Sequence, residues 1–291
     1  MIHLQALSGI LIISFAAILV RLADVSAVTA TFFRCLYAMP VLLALWYARR
    51  SVDRRPRWSH GLGVAAGLAL FLDLSLWHEA IFRIGAGLGT VLVNTQVVFV
   101  GLAAWLLHGE RPSRLAFVTI PVMLAGVTLV SGLGRPEAYG ADPVGGTVLG
   151  VLAGVAYAAY LLAFRAANPT GAPTVGALAE ATIGALLATA ILGPFVDPAF
   201  SWTVPAEAHV WLATLGIVAQ VGGWLLIGSA LPRLPALETS VMMLVQPIGT
   251  MMWGSLLFAE SVSWLQIGGV GLLLAGLGTL TVGGAMAARR R

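Results

Sequence analysis

The sequence predicts an all-α integral membrane protein with ten transmembrane helices, arranged as two inverted five-helix repeats. Three observations predict this fold: the chain is strongly apolar, its apolar runs have the length of a membrane span, and one half of it repeats in the other. Of the 291 residues, 59% are hydrophobic and only 10% are charged, whereas soluble domains contain about 25% charged residues. This composition excludes a soluble enzyme, and a single cysteine excludes a disulfide scaffold.

Each apolar run contains roughly 20 residues, the length that an α-helix needs to cross the hydrocarbon core of a bilayer. Polar and apolar residues do not alternate along these runs, as they would in the strands of a membrane barrel. The connections are short and rich in turn formers, so none of them holds a soluble domain. In chain order, the predicted spans are Leu4–Val20, Ala27–Ala48, Gly61–Glu79, Gly85–Leu107, Leu115–Val130, Gly146–Phe164, Val175–Leu192, Val210–Leu231, Leu237–Phe258 and Leu265–Gly283.

The arginines predict the orientation of these spans. All 16 basic residues are arginines. With the N-terminus inside, twelve of them fall in cytoplasmic segments, three fall on the opposite side, and Arg34 lies within a span. Because positive charge is retained on the cytoplasmic side, both termini are predicted to be cytoplasmic. The basic character is therefore a topology signal, and we expect no nucleic-acid partner.

A shift of 150 residues places Arg83–Gly126 over Arg233–Gly276 without a gap, with twelve identities in 44 positions. The polar identities include Gln96 with Gln246 and Glu110 with Glu260; the two glutamates are predicted to cap or anchor equivalent helix ends. Five spans per half require the second half to be inverted, which is a recurring plan among secondary transporters. The predicted organisation is a first repeat at 1–132, an extracytoplasmic loop at 133–145 and a second repeat at 146–291.

Short motifs in both halves carry a family resemblance. The first copy reads Ala80…Ala86…Gly109-Glu110-Arg111-Pro112-Ser113…Ala125-Gly126, and the second reads Ala230…Ala236…Gln246-Pro247…Ala259-Glu260-Ser261…Ala275-Gly276. This pattern resembles the EamA family of the drug/metabolite transporter superfamily, although Val97 stands where the family has a proline and Ala259 replaces a glycine. The Trp77-His78 pair and the aromatic content resemble the YddG-type aromatic amino-acid exporters. The resemblance implies a carrier of the bacterial inner membrane that exports amino acids or related metabolites by alternating access.

Three charged residues within the spans are candidates for gating or coupling, because an intramembrane charge is costly unless it is paired or faces water. Arg34 and Asp73 fall at similar depths, and we expect an ion pair that either pins two helices or opens as a gate. Glu180 lies near the inner end of its span, where Arg34 does not reach. It is a candidate for proton coupling or, alternatively, an acceptor of hydrogen bonds from a neighbouring helix.

Aromatic and polar side chains on several spans are the candidate substrate-binding groups. Trp77 and His78 suit an aromatic or zwitterionic solute, because indole offers a flat apolar face and imidazole both donates and accepts; the alternative for Trp77 is a place in the interfacial aromatic belt. The other candidates lie on helix faces that suit either binding or packing, and they are Asn94, Phe99, Tyr157, Tyr160, Met243 and Gln246. Pro247 predicts a hinge, because proline within a span frees a carbonyl. Glycines four residues apart, at Gly63 and Gly67 and from Gly146 to Gly154, predict close helix approach.

The sequence contains no ATP-binding loop and no lysine, so transport would use a gradient or be facilitated diffusion. His78-Glu79 begins like a zinc-protease motif, but Phe82 stands where the second histidine must be. We therefore expect no enzyme activity, no cofactor and no metal. The expected partners are the lipid bilayer and a small-molecule substrate, and the expected state is a monomer. A transporter of another metabolite or drug, a membrane enzyme and a non-transporting scaffold remain the alternatives.

Overall fold

A computed structural model describes residues 1–109, 112–130, 142–258 and 263–289, and within these ranges it contains helices and no strands. Glu110, Glu260 and most of the predicted extracytoplasmic loop lie outside the described residues. The helices are α1 Ile2–Ser14, α2 Ala16–Ala23, α3 Ala27–Arg49, α4 Arg57–Val93, α5 Gln96–His108, α6 Arg114–Val130, α7 Pro143–Ala167, α8 Thr174–Val196, α9 Ala206–Thr214, a π-helical segment Leu215–Gly223, α10 Trp224–Ala230, a 3-10 turn Leu231–Arg233, α11 Ala236–Met243, α12 Gln246–Phe258 and α13 Trp264–Arg289. The all-helical fold class is confirmed for the described part of the chain.

The apolar helices lie where the spans are predicted. Among the described residues, eight helical stretches are long and apolar enough to cross a membrane: Ile2–Ala23, Ala27–Arg49, Arg57–Ile81, Gly89–Leu107, Val144–Ala167, Thr174–Val196, Ala206–Arg233 and Ala236–Leu257. Two shorter apolar helices, Arg114–Leu129 and Trp264–Thr279, coincide with the predicted fifth and tenth spans. The chain is therefore a multi-pass membrane protein.

Helix α4 contains the stretch Arg57–Ile81 and the start of the stretch Gly89–Leu107, and the chain turns back between them. A Cβ on Gly89 would lie 3.6 Å from the Cα atom of Ile81, whereas residues eight positions apart on a straight helix are separated by about 12 Å. The chain therefore reverses direction between Ile81 and Gly89, so the third and fourth predicted spans correspond to two separate apolar stretches.

Helix boundaries repeat at the 150-residue interval of the sequence. Helix α5 spans Gln96–His108 and α12 spans Gln246–Phe258, so that both ends differ by 150. The preceding helices end at Val93 and Met243, and the following ones begin at Arg114 and Trp264. The repeated segment therefore has the same local structure in both halves of the chain.

The chain divides into two compact units, residues 1–76 with 159–233 and residues 77–158 with 234–291. Each unit combines helices from both halves of the sequence. In the first unit α3 packs against α8, and in the second unit α6 packs against α13. Both pairs join helices that correspond to each other in the repeat.

In the first unit, α3 and α8 run antiparallel. The loop after α3 reaches the early turns of α8, where Arg55 binds Glu180. The loop after α8 returns to the start of α3, where the Ser201 amide donates to Thr29 Oγ1 at 3.0 Å. Both helices contain 23 residues, so each helix begins where the other ends.

In the second unit, α6 and α13 also run antiparallel. A Cβ on Gly126 would lie 2.9 Å from the carbonyl oxygen of Gly269, and one on Gly276 would overlap the side chain of Met123. Met123 of α6 therefore contacts Gly276 of α13, and Gly126, further along α6, contacts Gly269, which comes earlier in α13. The two pairs of equivalent helices thus share one arrangement.

Glycines allow neighbouring helices to approach closely, as their spacing predicts. A Cβ on Gly67 of α4 would overlap the carbonyl oxygen of Ala181 on α8, and one on Gly184 would overlap the carbonyl oxygen of Val64. In the second unit, a Cβ on Gly154 of α7 would lie 2.7 Å from Thr95 Oγ1. Because lipid supplies no hydrophobic force between helices, such backbone contact is a main source of their association.

We expect Gly67→Ala to destabilise the protein by about 1–3 kcal/mol, because the added methyl group forces α4 away from α8. Gly61→Ala is the matched control on the same helix: Gly61 is exposed, and a Cβ there has no neighbouring atom within 4 Å. The control gains up to about 1 kcal/mol of helix propensity. Thermal unfolding of both purified variants in detergent tests the difference, and equal midpoints would contradict the close packing.

Candidate functional site

The side chain of Arg34 faces the π-helical segment. Its Nε donates to Gln220 Oε1 at 2.7 Å, and Gln220 Nε2 donates to Thr182 Oγ1 at 3.1 Å. Gln220 is completely buried. The expected Arg34–Asp73 ion pair is absent from the ion pairs of the described ranges, because Arg34 is directed instead toward Gln220. Similar depth in the membrane did not determine which way the side chain points.

The π-helical segment gives Gln220 its place in this chain of hydrogen bonds. Such segments are rare, and they are frequent at functional sites because the wider turn redirects side chains. A Cβ on Gly216 would lie 2.8 Å from the carbonyl oxygen of Arg34, so the segment also contacts the backbone of α3. Gln220 is not among the residues predicted from the sequence, although an amide within an apolar span is a recognisable signal.

Glu180 accepts hydrogen bonds, as the second of its two alternatives expects, but the donor Arg55 lies in the loop after α3. Arg55 Nη2 donates to Glu180 Oε1 at 2.7 Å, and Arg55 Nη1 donates to Oε2 at 2.8 Å. Arg55 also donates to both carboxylate oxygens of Asp53 and to the carbonyl oxygen of Ala167. All five N–H groups of the guanidinium are therefore bonded. The sequence analysis interpreted Arg55 only as a topology signal, because its partner lies 125 residues away.

This cluster of Asp53, Arg55 and Glu180 ties the loop after α3 and the end of α7 to α8. The Arg55 side chain is fully buried, and His60 Nδ1 lies 2.6 Å from Glu180 Oε1 at the exposed edge of the cluster. Burial alone would raise the pKa of Asp53, but hydrogen bonds and charge from Arg55 outweigh it, so the pKa is lowered. Burial alone would likewise lower the pKa of Arg55, and its bonds to Glu180 and Asp53 raise it instead.

Around Asp73, α4 carries buried polar atoms without partners. Asp73 is only 5% exposed, and its Oδ1 has no hydrogen-bond partner. Ser75 Oγ and Trp77 Nε1 are also buried without a partner. The rings of Trp77 and His78 meet edge to face, with centroids 4.7 Å apart. Unsatisfied buried polar groups are rare in proteins, so a cluster of them marks a place where a ligand or water belongs.

The fourth and ninth spans break at equivalent positions. Thr95 N bonds to Leu92 O and Val98 N to Thr95 O, and the same three-residue bonds recur between Val245 and Met242 and between Ile248 and Val245. The break is therefore present in the first half even though Val97 replaces proline. Pro247 lies in the first turn of α12, just after the break, where proline is tolerated.

Next to the break in the first half, Gln96 is completely buried and bonded in both directions to Ser240. Gln96 Nε2 donates to the Ser240 carbonyl oxygen at 3.1 Å, and Ser240 Oγ donates to Gln96 Oε1 at 3.0 Å. These bonds tie the start of α5 to α11. The sequence analysis used Gln96 only as evidence for the repeat.

The remaining predicted binding residues are distributed over both units. Asn94 is buried and its amide donates to the Thr90 carbonyl oxygen of its own helix at 2.7 Å. Tyr160 is completely buried, stacked on Phe164 and in edge contact with Trp224. Met243 is buried, whereas the other three are only partly buried: Phe99, Tyr157 and Gln246. The packing alternative therefore suits Tyr160 best.

The sequence profile of the EamA-like transporter family matches this chain twice, at residues 1–132 and 144–282. The chain belongs to this family, within the drug/metabolite transporter superfamily. Similar proteins include the uncharacterized transporter YwfM of Bacillus subtilis, 25% identical over 81% of this chain and 78% of its own. An uncharacterized transporter of Archaeoglobus fulgidus is 27% identical over 91% of both chains. One solved crystal structure matches with a TM-score of 0.77 over 97% of both chains at 18% identity, which shows the fold alone.

We expect Arg55→Gln to destabilise the first unit by about 3–5 kcal/mol, because it leaves two buried carboxylates without their cation. Arg54→Gln is the matched control, since Arg54 is the exposed neighbour in the same loop. Thermal unfolding in detergent measures both. Equal loss in the two variants would contradict the role assigned to the Arg55 cluster.

We expect the Asp53 contribution to stability to be complete above about pH 4, the ordinary pKa of an unfolded aspartate. Because the folded pKa is lowered, this contribution is lost as the pH falls through that lower value. Melting temperatures of wild type and Asp53→Asn, measured from pH 6 to pH 3, should converge at the acid end. The exposed Glu207→Gln serves as control, and parallel curves for wild type and Asp53→Asn would refute the linkage.

Proposed function

We propose that this protein is a secondary transporter that exports amino acids, aromatic or other neutral ones, across the bacterial inner membrane by alternating access. The observation that carries the proposal is the antiparallel packing of equivalent helices, α3 with α8 and α6 with α13. This arrangement supports an inverted repeat. Inverted repeats provide two related conformations in which a central site opens to one side or to the other.

The helix breaks at equivalent positions in the two halves support a location for the conformational change that alternating access requires. At Pro247 the chain has no N–H for the carbonyl of Met243, and in the first half Val97 donates to Asn94 instead of to Val93. Interrupted helices at corresponding positions of two repeats line substrate sites in many transporters. We propose both breaks as hinges, with Pro247 in one of them.

The substrate class rests on the aromatic and polar residues of the spans. Trp77 and His78 supply a ring face, a donor and an acceptor, which suits an aromatic amino acid. Asn94, Phe99, Tyr157, Met243 and Gln246 are proposed as further contacts. For the charged candidates we propose gating or coupling at Arg34 and Asp73, and an anchoring role for Glu180 because its charge is paired with Arg55.

The contacts between loops support the proposed topology, with both termini in the cytoplasm. Thr170 Oγ1 bonds to the Pro232 carbonyl oxygen, which joins two loops that the arginines assign to the cytoplasm. Arg83 Nη1 bonds to Asp142 Oδ2 at 2.9 Å, and both residues are assigned to the opposite side. The chain contains no ATP-binding loop, so we propose a gradient or facilitated diffusion as the energy source.

Flux into liposomes that contain the purified chain tests the function, with labelled phenylalanine, leucine and glutamate, with and without a pH gradient. We expect phenylalanine or leucine to move, glutamate to be excluded, and empty liposomes to show no flux. Relative to wild type, Trp77→Ala should lower the phenylalanine transport rate about tenfold or more, because it removes the aromatic ring proposed to contact the substrate. Flux of drugs or other metabolites alone would favour that alternative, and no flux of any solute would favour an enzyme or a scaffold.

A further inference from the structure

Two of the three buried polar atoms without partners on α4 are chemically complementary. Asp73 presents a carboxylate oxygen, which accepts hydrogen bonds, and Trp77 presents an indole N–H, which only donates. Both atoms are buried and unpartnered. The residues are four positions apart in the continuous helical stretch Arg57–Ile81, so they lie on one helix face with Cβ atoms about 5–6 Å apart.

We propose that Asp73 and Trp77 recognise the two charged groups of a zwitterionic substrate. Asp73 accepts hydrogen bonds from the substrate ammonium, and Trp77 Nε1 donates to the substrate carboxylate. The two substrate groups are attached to the same carbon atom in an α-amino acid, which suits a donor and an acceptor one helical turn apart. The inference rests on the proposed amino-acid export and names the residues that would select for it.

Two buried or partly buried cations of the first unit, Arg34 and Arg55, are engaged with other groups. Arg34 Nε binds Gln220, and Arg55 has all five N–H groups bonded to Asp53, Glu180 and Ala167. No hydrogen bond or ion pair in the described ranges satisfies Asp73 Oδ1. An ionised carboxylate in an apolar interior is costly unless a cation pairs with it, and in a transporter the ammonium group of a substrate can serve as that cation.

The indole ring strengthens the assignment to an ammonium group. An ammonium close to a tryptophan face is attracted by the ring quadrupole, and the attraction grows when water is excluded. Trp77 would therefore contribute its ring to the ammonium and its N–H to the carboxylate. If Asp73 bound a proton instead of the substrate, neither the ring nor the N–H of Trp77 would take part. The experiment must therefore distinguish substrate binding at Asp73 from proton binding.

The experiment measures uptake of labelled L-phenylalanine by liposomes that contain the full chain, with two unlabelled competitors. Phenethylamine lacks the carboxylate and 3-phenylpropionate lacks the ammonium. For wild type we expect phenethylamine to compete and 3-phenylpropionate to compete weakly. Asp73→Asn should raise the KM for phenylalanine about tenfold or more, because a hydrogen bond to a charged group is lost, and it should abolish competition by phenethylamine.

Trp77→Phe separates the two roles of the indole. This variant keeps an aromatic face but removes the N–H, so we expect a higher KM for phenylalanine with competition by phenethylamine unchanged. Glu79→Gln is the matched control: Glu79 is an exposed acid on the same helix and binds Arg83. The control should transport as wild type does.

Binding measured without transport distinguishes this inference from the proposed function. Phenethylamine should raise the melting temperature of the wild-type protein in detergent and leave that of Asp73→Asn unchanged. If wild type moves no amino acid but shows this shift, the proposed export fails and ammonium recognition stands. An unchanged KM and unchanged amine competition in Asp73→Asn would overturn the inference. A loss of pH-gradient dependence in Asp73→Asn at unchanged KM would also overturn it, because that result indicates that Asp73 binds a proton.

Discussion

Hydrocarbon offers no hydrogen-bonding partners, and each polar group of this chain that enters the bilayer must therefore be satisfied by the protein or by what the protein carries. Arg55, which is buried in the loop after α3 beside the spans, shows the same complete satisfaction, with five N–H groups shared among two carboxylates and a carbonyl oxygen. Within the spans, Gln96 meets the requirement through Ser240, and Gln220 meets it through Arg34 and Thr182. In contrast, Asp73 Oδ1 and Trp77 Nε1 are buried without a hydrogen-bond partner. The same physical constraint makes them the best candidates for contact with a solute.

The helix contacts follow from a second property of lipid, which is as apolar as the side chains and does not drive helices together. Gly67 and Gly184 allow the backbones of α4 and α8 to touch, and Gly126 does the same between α6 and α13. Polar bonds at the ends of the helices then hold the pairs in register, as Glu180 with Arg55 and Thr29 with Ser201 do at opposite ends of α3 and α8. Close packing and end anchoring together produce the antiparallel pairs.

Much of the fold was predictable because the length and polarity of a span are local properties of the sequence. Ten apolar runs predicted where the apolar helices lie, and the 150-residue register predicted that α12 begins at Gln246 as α5 begins at Gln96. The site was less predictable. Arg34 and Asp73 were expected to pair from their depths alone. The partner of Glu180 was not identified, because Arg55 lies in a loop that appeared to serve only topology.

The sequence by itself determined the apolar class, the predicted spans and the family, because hydropathy and motifs need no knowledge of neighbours. Only the tertiary structure decided which face of each helix meets which partner. Gln220 lies 186 residues from Arg34 in the sequence. The two side chains bind each other because the π-helical segment turns the Gln220 amide toward α3. Side-chain direction at a given depth depends on helix rotation and packing, and these are set by contacts between residues far apart in the chain.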